Sequence, residues 1–166
     1  MGLLRRVAPR NDNLRERGNL KLCQRPSPDM KKEVYMLVRG IRGAITVNSN
    51  NKEEIIKFTK ELLITLQKEN NFKIEDIVSI FFSATPDLNA AFPARAAREL
   101  GWNVAPLFDM QEIEVRGSLP KCIRILIQIN CSKNQTEIKH CYLRGAEILR
   151  KDLVKETLNL KESESK

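Results

Sequence analysis

Metal, nucleotide and covalent chemistry all lack their usual residues in this chain. There is one histidine, His140, and none of the four cysteines (Cys23, Cys122, Cys131, Cys141) forms a CxxC pair, so zinc-ligand spacing is absent. No Walker loop, GxGxxG or metal triad occurs, and no GxSxG elbow offers a nucleophile to the lone histidine, which reads as structural. Aromatic residues make up only 5% of the chain and are not interleaved with the arginines, which argues against a single-strand nucleic-acid groove. No apolar run approaches the roughly 20 residues of a membrane span, and no signal-like apolar core follows the first residues. Glu112 has no second carboxylate in its motif for paired acid–base work. The expectation is a protein with no metal or cofactor, bound to neither membrane nor nucleic acid.

What is present is basic charge, unevenly spread. At 42% apolar and 30% charged residues, the chain has the composition of an ordinary soluble globular protein. Its net charge is +8, and residues 1–29 supply +4 of it, from seven Arg/Lys against Asp12, Glu16 and Asp29. That stretch also holds Pro9, Pro26 and Pro28 and has no apolar period. Residues 1–34 are therefore read as a basic extension, either disordered or made by a start placed too early, since Met30 and Met36 would both serve. Residues 35–153 are read as the folded domain and 154–166 as a flexible tail. Cys122 and Cys131 fall in an apolar run, where a thiol behaves as a small hydrophobe, and a reducing cytoplasm is the expected location.

The periodicities predict a mixed α/β domain in the order β-α-β-α-β-β-α-β. Val34–Arg42 reads as a strand ending at Gly43. Asn50 with Glu53 reads as an Asn-type capping box, opening a helix whose face is Ile55, Ile56, Thr59, Leu62, Leu63 and Leu66 and which ends near Asn70-Asn71. Ile74–Thr85 reads as a lead-in and a buried strand stopped by Pro86-Asp87. Ala90–Leu100 reads as a helix closed by Gly101. Trp102–Met110 and Cys122–Cys131 read as strands, Gln135–Leu143 as a helix and Ala146–Leu149 as a brief extended piece. An exposed sheet edge in so small a core favours an oligomer.

Arg42, Arg95, Arg98, Glu112, Arg124 and Arg150 each sit toward the end of a predicted element or in a short turn and none belongs to a long charge run, a spacing of basic residues that suits a carboxylate-bearing small molecule better than a sheet of phosphates. Each also has a plainer reading. Arg39 and Arg42 could be two surface arginines at a turn, and Glu112 an ordinary surface acid. Arg95 and Arg98 share one face of a helix start, where cations oppose the dipole. Arg124 is the anomaly. It lies inside an apolar strand, on the face of Cys122 and Leu126, where an unpaired charge is costly. It must either pair with an internal acid or line a cavity that receives an anion.

Several blocks together carry a resemblance: Arg39-Gly-Ile-Arg-Gly-Ala-Ile-Thr-Val47, Ser83-Ala-Thr-Pro-Asp-Leu88, Ala91-Phe-Pro-Ala94, Met110-Gln-Glu112, Lys121-Cys-Ile-Arg124, His140-Cys-Tyr-Leu143 and Leu149-Arg150. From about Met36 to Leu153 the chain resembles the trimeric, barrel-like chorismate mutases of the AroH type. The resemblance implies a homotrimer of pseudo-α/β barrels with pockets between subunits, an isomerase converting chorismate to prephenate without a cofactor. It implies that Arg42 binds a substrate carboxylate, Arg124 reaches the breaking ether oxygen and a carboxylate, Glu112 accepts from the ring hydroxyl, and Tyr142 supports the enolpyruvyl carboxylate. Phe92, Ala94, Leu107 and Leu149 would be apolar walls, with Arg95, Arg98 and Arg150 near the mouth. Phe108 and Asp109 are carried into the binding set as a departure, because the family often has a small polar residue and then Cys or Ser there. An acid beside Glu112 would repel a dianion, perturb the glutamate, or hydrogen-bond the hydroxyl in place of the thiol. The enamine/imine deaminases share the trimeric shape but not these blocks. A nucleic-acid-binding arm at residues 1–29 would instead show steep salt dependence.

Overall fold

The structure is a computed structural model that describes residues 36–152; the basic extension, Cys23 and the tail from residue 153 lie outside the described residues. β1 (Leu37–Thr46), β2 (Ile77–Ala84), β3 (Leu107–Gln111), β4 (Cys122–Cys131) and β5 (Cys141–Leu143) form one sheet in the order β3-β2-β4-β1-β5. β4 runs antiparallel to both β1 and β2, while β3 and β5 join the edges in parallel. α1 (Lys52–Asn70) and α2 (Ala94–Glu99) are the two α-helices of the described residues, and α1 supplies most of the cover of one sheet face. Among the described residues no helix is long and apolar enough to cross a membrane.

Strand alternation separates the two faces. Ile41 and Ile45 of β1, Ile80 and Phe82 of β2, and Ile123, Ile125, Ile127 and Ile129 of β4 turn toward α1 and are buried there with Ile55, Leu62, Leu63 and Leu66. Among the described residues no α-helix lies over the opposite face, and only the 3-10 segment Arg144–Arg150 packs on its β5 end. That face presents Arg42, Phe81, Ser83, Phe108, Met110, Arg124, Leu126 and Gln128, with Phe108, Met110 and Leu126 exposed.

β1 runs three residues past the predicted stop at Gly43, pairing with β4 along its whole length. The glycine serves a close approach instead: a Cβ there would lie 2.9 Å from Leu66 Cδ1 and 3.1 Å from the Cys141 carbonyl. The helix cap is one residue later than predicted. Asn51 Oδ1 accepts from the Glu54 amide at 2.8 Å, and Glu54 accepts from the Asn48 and Ser49 amides. Asn50 faces elsewhere, accepting from the amides of Asn89 and Ala90 at 3.1 Å. Those bonds hold residues 89–90 outside any helix, so α2 begins at Ala94, after Pro93, rather than at Ala90. Gly101 closes it with φ +83°, as expected.

Three further elements differ from expectation. Trp102 is buried in a loop, edge-on to Phe72, and only Leu107–Gln111 pairs as a strand. The predicted helix over Gln135–Leu143 is a single 3-10 turn, Gln135–Glu137, followed by β5. Non-local bonds outweigh helix propensity there: the Gln135 amide bridges Gly40 N and O, and buried Asn70 takes both backbone groups of Lys139. Arg144–Arg150, expected to include an extended piece, is 3-10 helix. Cys122 and Cys131 are free thiols, buried and half-buried, and Cys141 is buried at the start of β5.

Candidate active site

Register assembles the site on the uncovered face. One row of directly paired residues crosses all five strands: Met110, Ser83, Arg124, Ala44 and Tyr142. The neighbouring row, two residues along each strand, is Phe108, Phe81, Leu126 and Arg42. Four candidates from distant parts of the sequence therefore share one patch because the strands carrying them pair in this order.

Arg124 satisfies both readings of its anomaly at once. Its Nη1 lies 3.0 Å from Glu112 Oε2, with the two side chains only 17% and 26% exposed, and both residues line a cavity of about 480 Å³ with Arg42, Met110 and Leu126. Ser83 Oγ donates to the other carboxylate oxygen, Oε1, so Glu112 is held from two sides. Its backbone is fixed too, since the Glu112 amide donates to the Ala84 carbonyl at 2.9 Å. A guanidinium has five N–H groups, so Glu112 fixes the orientation of Arg124 and leaves donors for a ligand.

Toward β5 the row is packed, and Tyr142 is not among the residues lining the Arg124 cavity. Tyr142 and Cys122 are buried with Ala44 and Ala146, and Leu149 packs against them. Burial pushes the Cys122 thiol up to about 11, so it is a neutral apolar neighbour of Arg124 rather than a nucleophile. Arg150 is exposed, and its guanidinium is gripped by Asp152 at 2.7 and 3.0 Å. Asp152 first, and Tyr142 after it, hold the Arg150 pKa above the ordinary arginine value.

The remaining candidates gather elsewhere. Asp109 points to the opposite side of β3 from Phe108 and Met110, where its Oδ1 accepts the Ala94 amide at 3.0 Å. The acid expected beside Glu112 is thus not beside it; alternation turns it toward the start of α2. Burial raises its pKa, against the opposing pull of the Ala94 N–H and of Arg98. Asp109 and Phe92, the latter 73% exposed, line a second cavity of about 560 Å³ that shares only Met110 with the first. Ala94 and Leu107, expected as pocket walls, pack in the main core. Arg95 is tied at 2.8 Å to Glu99, which also takes Lys60, and Arg98 is exposed one turn on. Phe108 lies on the open face, edge-on to Phe81.

Two residues near the first cavity went without a role in the sequence. Ser83 sits in a recognised block, yet its link to Glu112 depends on the β2–β3 pairing. His140 Nδ1 accepts the Arg42 amide at 3.0 Å, a contact across 98 residues that no local pattern announces.

The family model for chorismate mutase type I matches residues 38–153. The chain is 49% identical over 119 residues to chorismate mutase AroH of Bacillus subtilis (strain 168), covering 71% of this chain and 94% of that protein. It is 44% identical over 118 residues to chorismate mutase AroH of Thermus thermophilus, covering 70% and 97%. A solved chorismate mutase from Clostridium thermocellum, Cth-682, superposes with a TM-score of 0.65 at 48% identity, over 66% of this chain and 97% of that one. With a matched stretch that holds every strand and both helices of the sheet domain, the chain belongs to the type I chorismate mutase family.

Proposed function

We propose that this protein is a chorismate mutase, rearranging chorismate to prephenate on the route to phenylalanine and tyrosine. The observation that carries the reading is the half-buried Arg124, oriented by Glu112 and held, through it, by Ser83, in the lining of a cavity that Arg42 also lines. A Claisen rearrangement is unimolecular and needs no nucleophile, which agrees with a site of arginines, one carboxylate and apolar walls.

As the ether C–O bond breaks, the enolpyruvyl oxygen gains negative charge and the ring gains positive charge. A free N–H of Arg124 at that oxygen binds the transition state more strongly than the ground state, which is the condition for acceleration. Glu112 faces the ring hydroxyl and offsets the developing ring charge. Arg42 and Tyr142 take substrate carboxylates, with Leu149 as a wall and Arg150 at the mouth. An acceleration of ~10⁶ needs about 8 kcal/mol, and one preorganised donor contributes about 3–4 kcal/mol. Holding the reactive diaxial conformer must contribute the rest.

The same reading makes the enzyme a homotrimer whose sites lie between subunits. Two features support it. The open sheet face carries exposed Phe108, Met110 and Leu126, an apolar patch that a neighbour would cover. The candidate residues also fall into two separate groups in one chain, so that Phe92, Arg95, Arg98 and Asp109 of one subunit would complete the Arg42–Glu112–Arg124–Tyr142 group of the next. A cytoplasmic location belongs to this reading and agrees with the free thiols of Cys122 and Cys131. Residues 1–34 are dispensable in it.

The test is loss of chorismate absorbance with purified protein, with and without residues 1–29, beside Arg124→Ala. Turnover to prephenate in both forms and its loss in Arg124→Ala is the expected result. No turnover from a folded parent protein overturns the activity, and turnover retained in Arg124→Ala overturns the role given to that arginine.

A further inference from the structure

β5 pairs with β1 over only three residues, Gly43, Ala44 and Ile45, so the β1 edge before Gly43 would be left open. Side chains take the place of the missing strand. Gln135 Nε2 donates to the Gly40 carbonyl at 2.8 Å and its Oε1 accepts the Gly40 amide at 3.1 Å. The next amide along that edge is Arg42, and it donates to His140 Nδ1 at 3.0 Å. On the other side Arg42 is paired with Leu126 of β4, so the imidazole completes the anchoring of the one residue of β1 whose side chain enters the cavity with Arg124 and Glu112.

The ring is itself held in place. Buried Asn70, at the end of α1, donates from Nδ2 to the Lys139 carbonyl and accepts the Lys139 amide on Oδ1, both at 2.8 Å. His140 follows directly and is half-buried. The direction of the Arg42 bond fixes the tautomer: Nδ1 accepts, so the neutral ring carries its proton on Nε2.

We propose that His140 is a positioning residue for Arg42, and that protonation of its Nδ1 releases the Arg42 backbone and weakens substrate binding in acid. This rests on the reading of Arg42 as a carboxylate-binding residue. Protonated imidazole has two donors and no acceptor, so it would face the Arg42 N–H with a second N–H. The surroundings oppose that state. Burial lowers the His140 pKa from its ordinary 6.5, and Arg150 from the C-terminal 3-10 segment and Arg42 from β1 lower it further. On its own segment, Lys139 is engaged by Glu69 of α1 at 3.6 Å. The anchored state therefore holds at neutral pH and is lost only as pH falls through a value below 6.5.

Asn carries an acceptor oxygen near the position of imidazole Nδ1 and does not titrate, whereas Leu carries no acceptor. The experiment is kcat and KM against pH for the full-length parent, His140→Asn and His140→Leu, with ¹⁵N spectra of the imidazole. At neutral pH, His140→Leu should raise KM several-fold with a smaller change in kcat, and His140→Asn should recover most of the loss. The parent should show a rise in KM on acidification that His140→Asn lacks, and its spectrum should report the Nε2–H tautomer with the Arg42 amide moving at the same pH. An Nδ1–H tautomer, an unchanged KM in His140→Leu, or one acid limb shared by parent and His140→Asn would each overturn the proposal. Should His140→Leu fail to fold, the parent and His140→Asn profiles decide alone. Arg42→Ala, run alongside, separates the two readings: an unchanged KM there removes the role of Arg42, while the tautomer still reports whether the imidazole holds its backbone.

Discussion

Arg124 Nη1 stands 3.0 Å from Glu112 Oε2, both residues lining one cavity and with most of both side chains out of solvent. Arg95, by contrast, lies on α2 with its guanidinium half exposed and already engaged by Glu99. Removing a preorganised donor from the site of developing charge costs on the order of 10²- to 10³-fold in rate. Arg124→Ala should therefore lower kcat by at least that factor. Arg95→Ala should act mainly on KM, within a few-fold, as expected for an exposed charge. Steady-state assays of the two variants decide it, and comparable losses of kcat would refute the assignment of roles.

Ser83 gives the carboxylate its second anchor. With the hydroxyl gone, Glu112 keeps its contact to Arg124 but gains freedom to turn, and the pair no longer presents one geometry. A hydrogen bond to a charged group contributes about 1.5–3 kcal/mol. Ser83→Ala should lower kcat/KM by roughly tenfold or more on that scale, with a fall in Tm as well, because the same half-buried bond also ties β2 to the residue after β3. A variant with full activity would mean that Arg124 alone orients Glu112.

Much of this site is written in strand alternation, and for that reason only part of it could be read. Arg124 declared itself because a charge inside Cys122–Cys131 has no local justification, and period two placed it opposite the isoleucines that form the core. Tyr142 had no such signal. Its strand is three residues long, too short for a period to show, and its place in the row comes from parallel pairing with β1 across about one hundred residues. Asp109 was misplaced for a related reason: sequence proximity to Glu112 suggested contact, but β3 ends between them and alternation sends the aspartate to the other face. The start of α2 was hidden because Ala90 and Ala91 suit a helix, whereas the amides of residues 89 and 90 are taken by Asn50 and Pro93 caps the helix that follows.

Gly43 offers a test of how closely α1 must approach the sheet. A methyl group there would meet Leu66 Cδ1 at 2.9 Å, Leu62 Cδ1 at 3.0 Å and the Cys141 carbonyl at 3.1 Å. The leucine ends can rotate away, but the carbonyl belongs to the backbone of β5 and cannot move without disturbing the strand that carries Tyr142. Overpacking of this kind costs about 1–3 kcal/mol. Gly43→Ala should lower Tm by several degrees and reduce activity more than stability alone explains. A Tm equal to the parent's would show that β5 yields freely.

Asp109 links the second cavity to acid stability. Its folded pKa is raised above the ordinary 3.8, with burial as the largest cause, although the Ala94 N–H and Arg98 favour the charged form. Between 3.8 and that raised value the folded chain holds its proton more tightly than the unfolded chain does, so this group makes stability fall as pH rises through the window. Above the window the carboxylate is charged in both states and the burial cost is fully present. Asn keeps an oxygen for the Ala94 amide and carries no charge. Asp109→Asn should therefore match or exceed the parent in Tm at neutral pH, with the difference shrinking as pH falls toward 3.8. Thermal unfolding of both forms across that range checks it. A clear loss of Tm at neutral pH in the variant would mean that the charge at the start of α2 stabilises more than its burial costs, with Arg98 the partner to examine next.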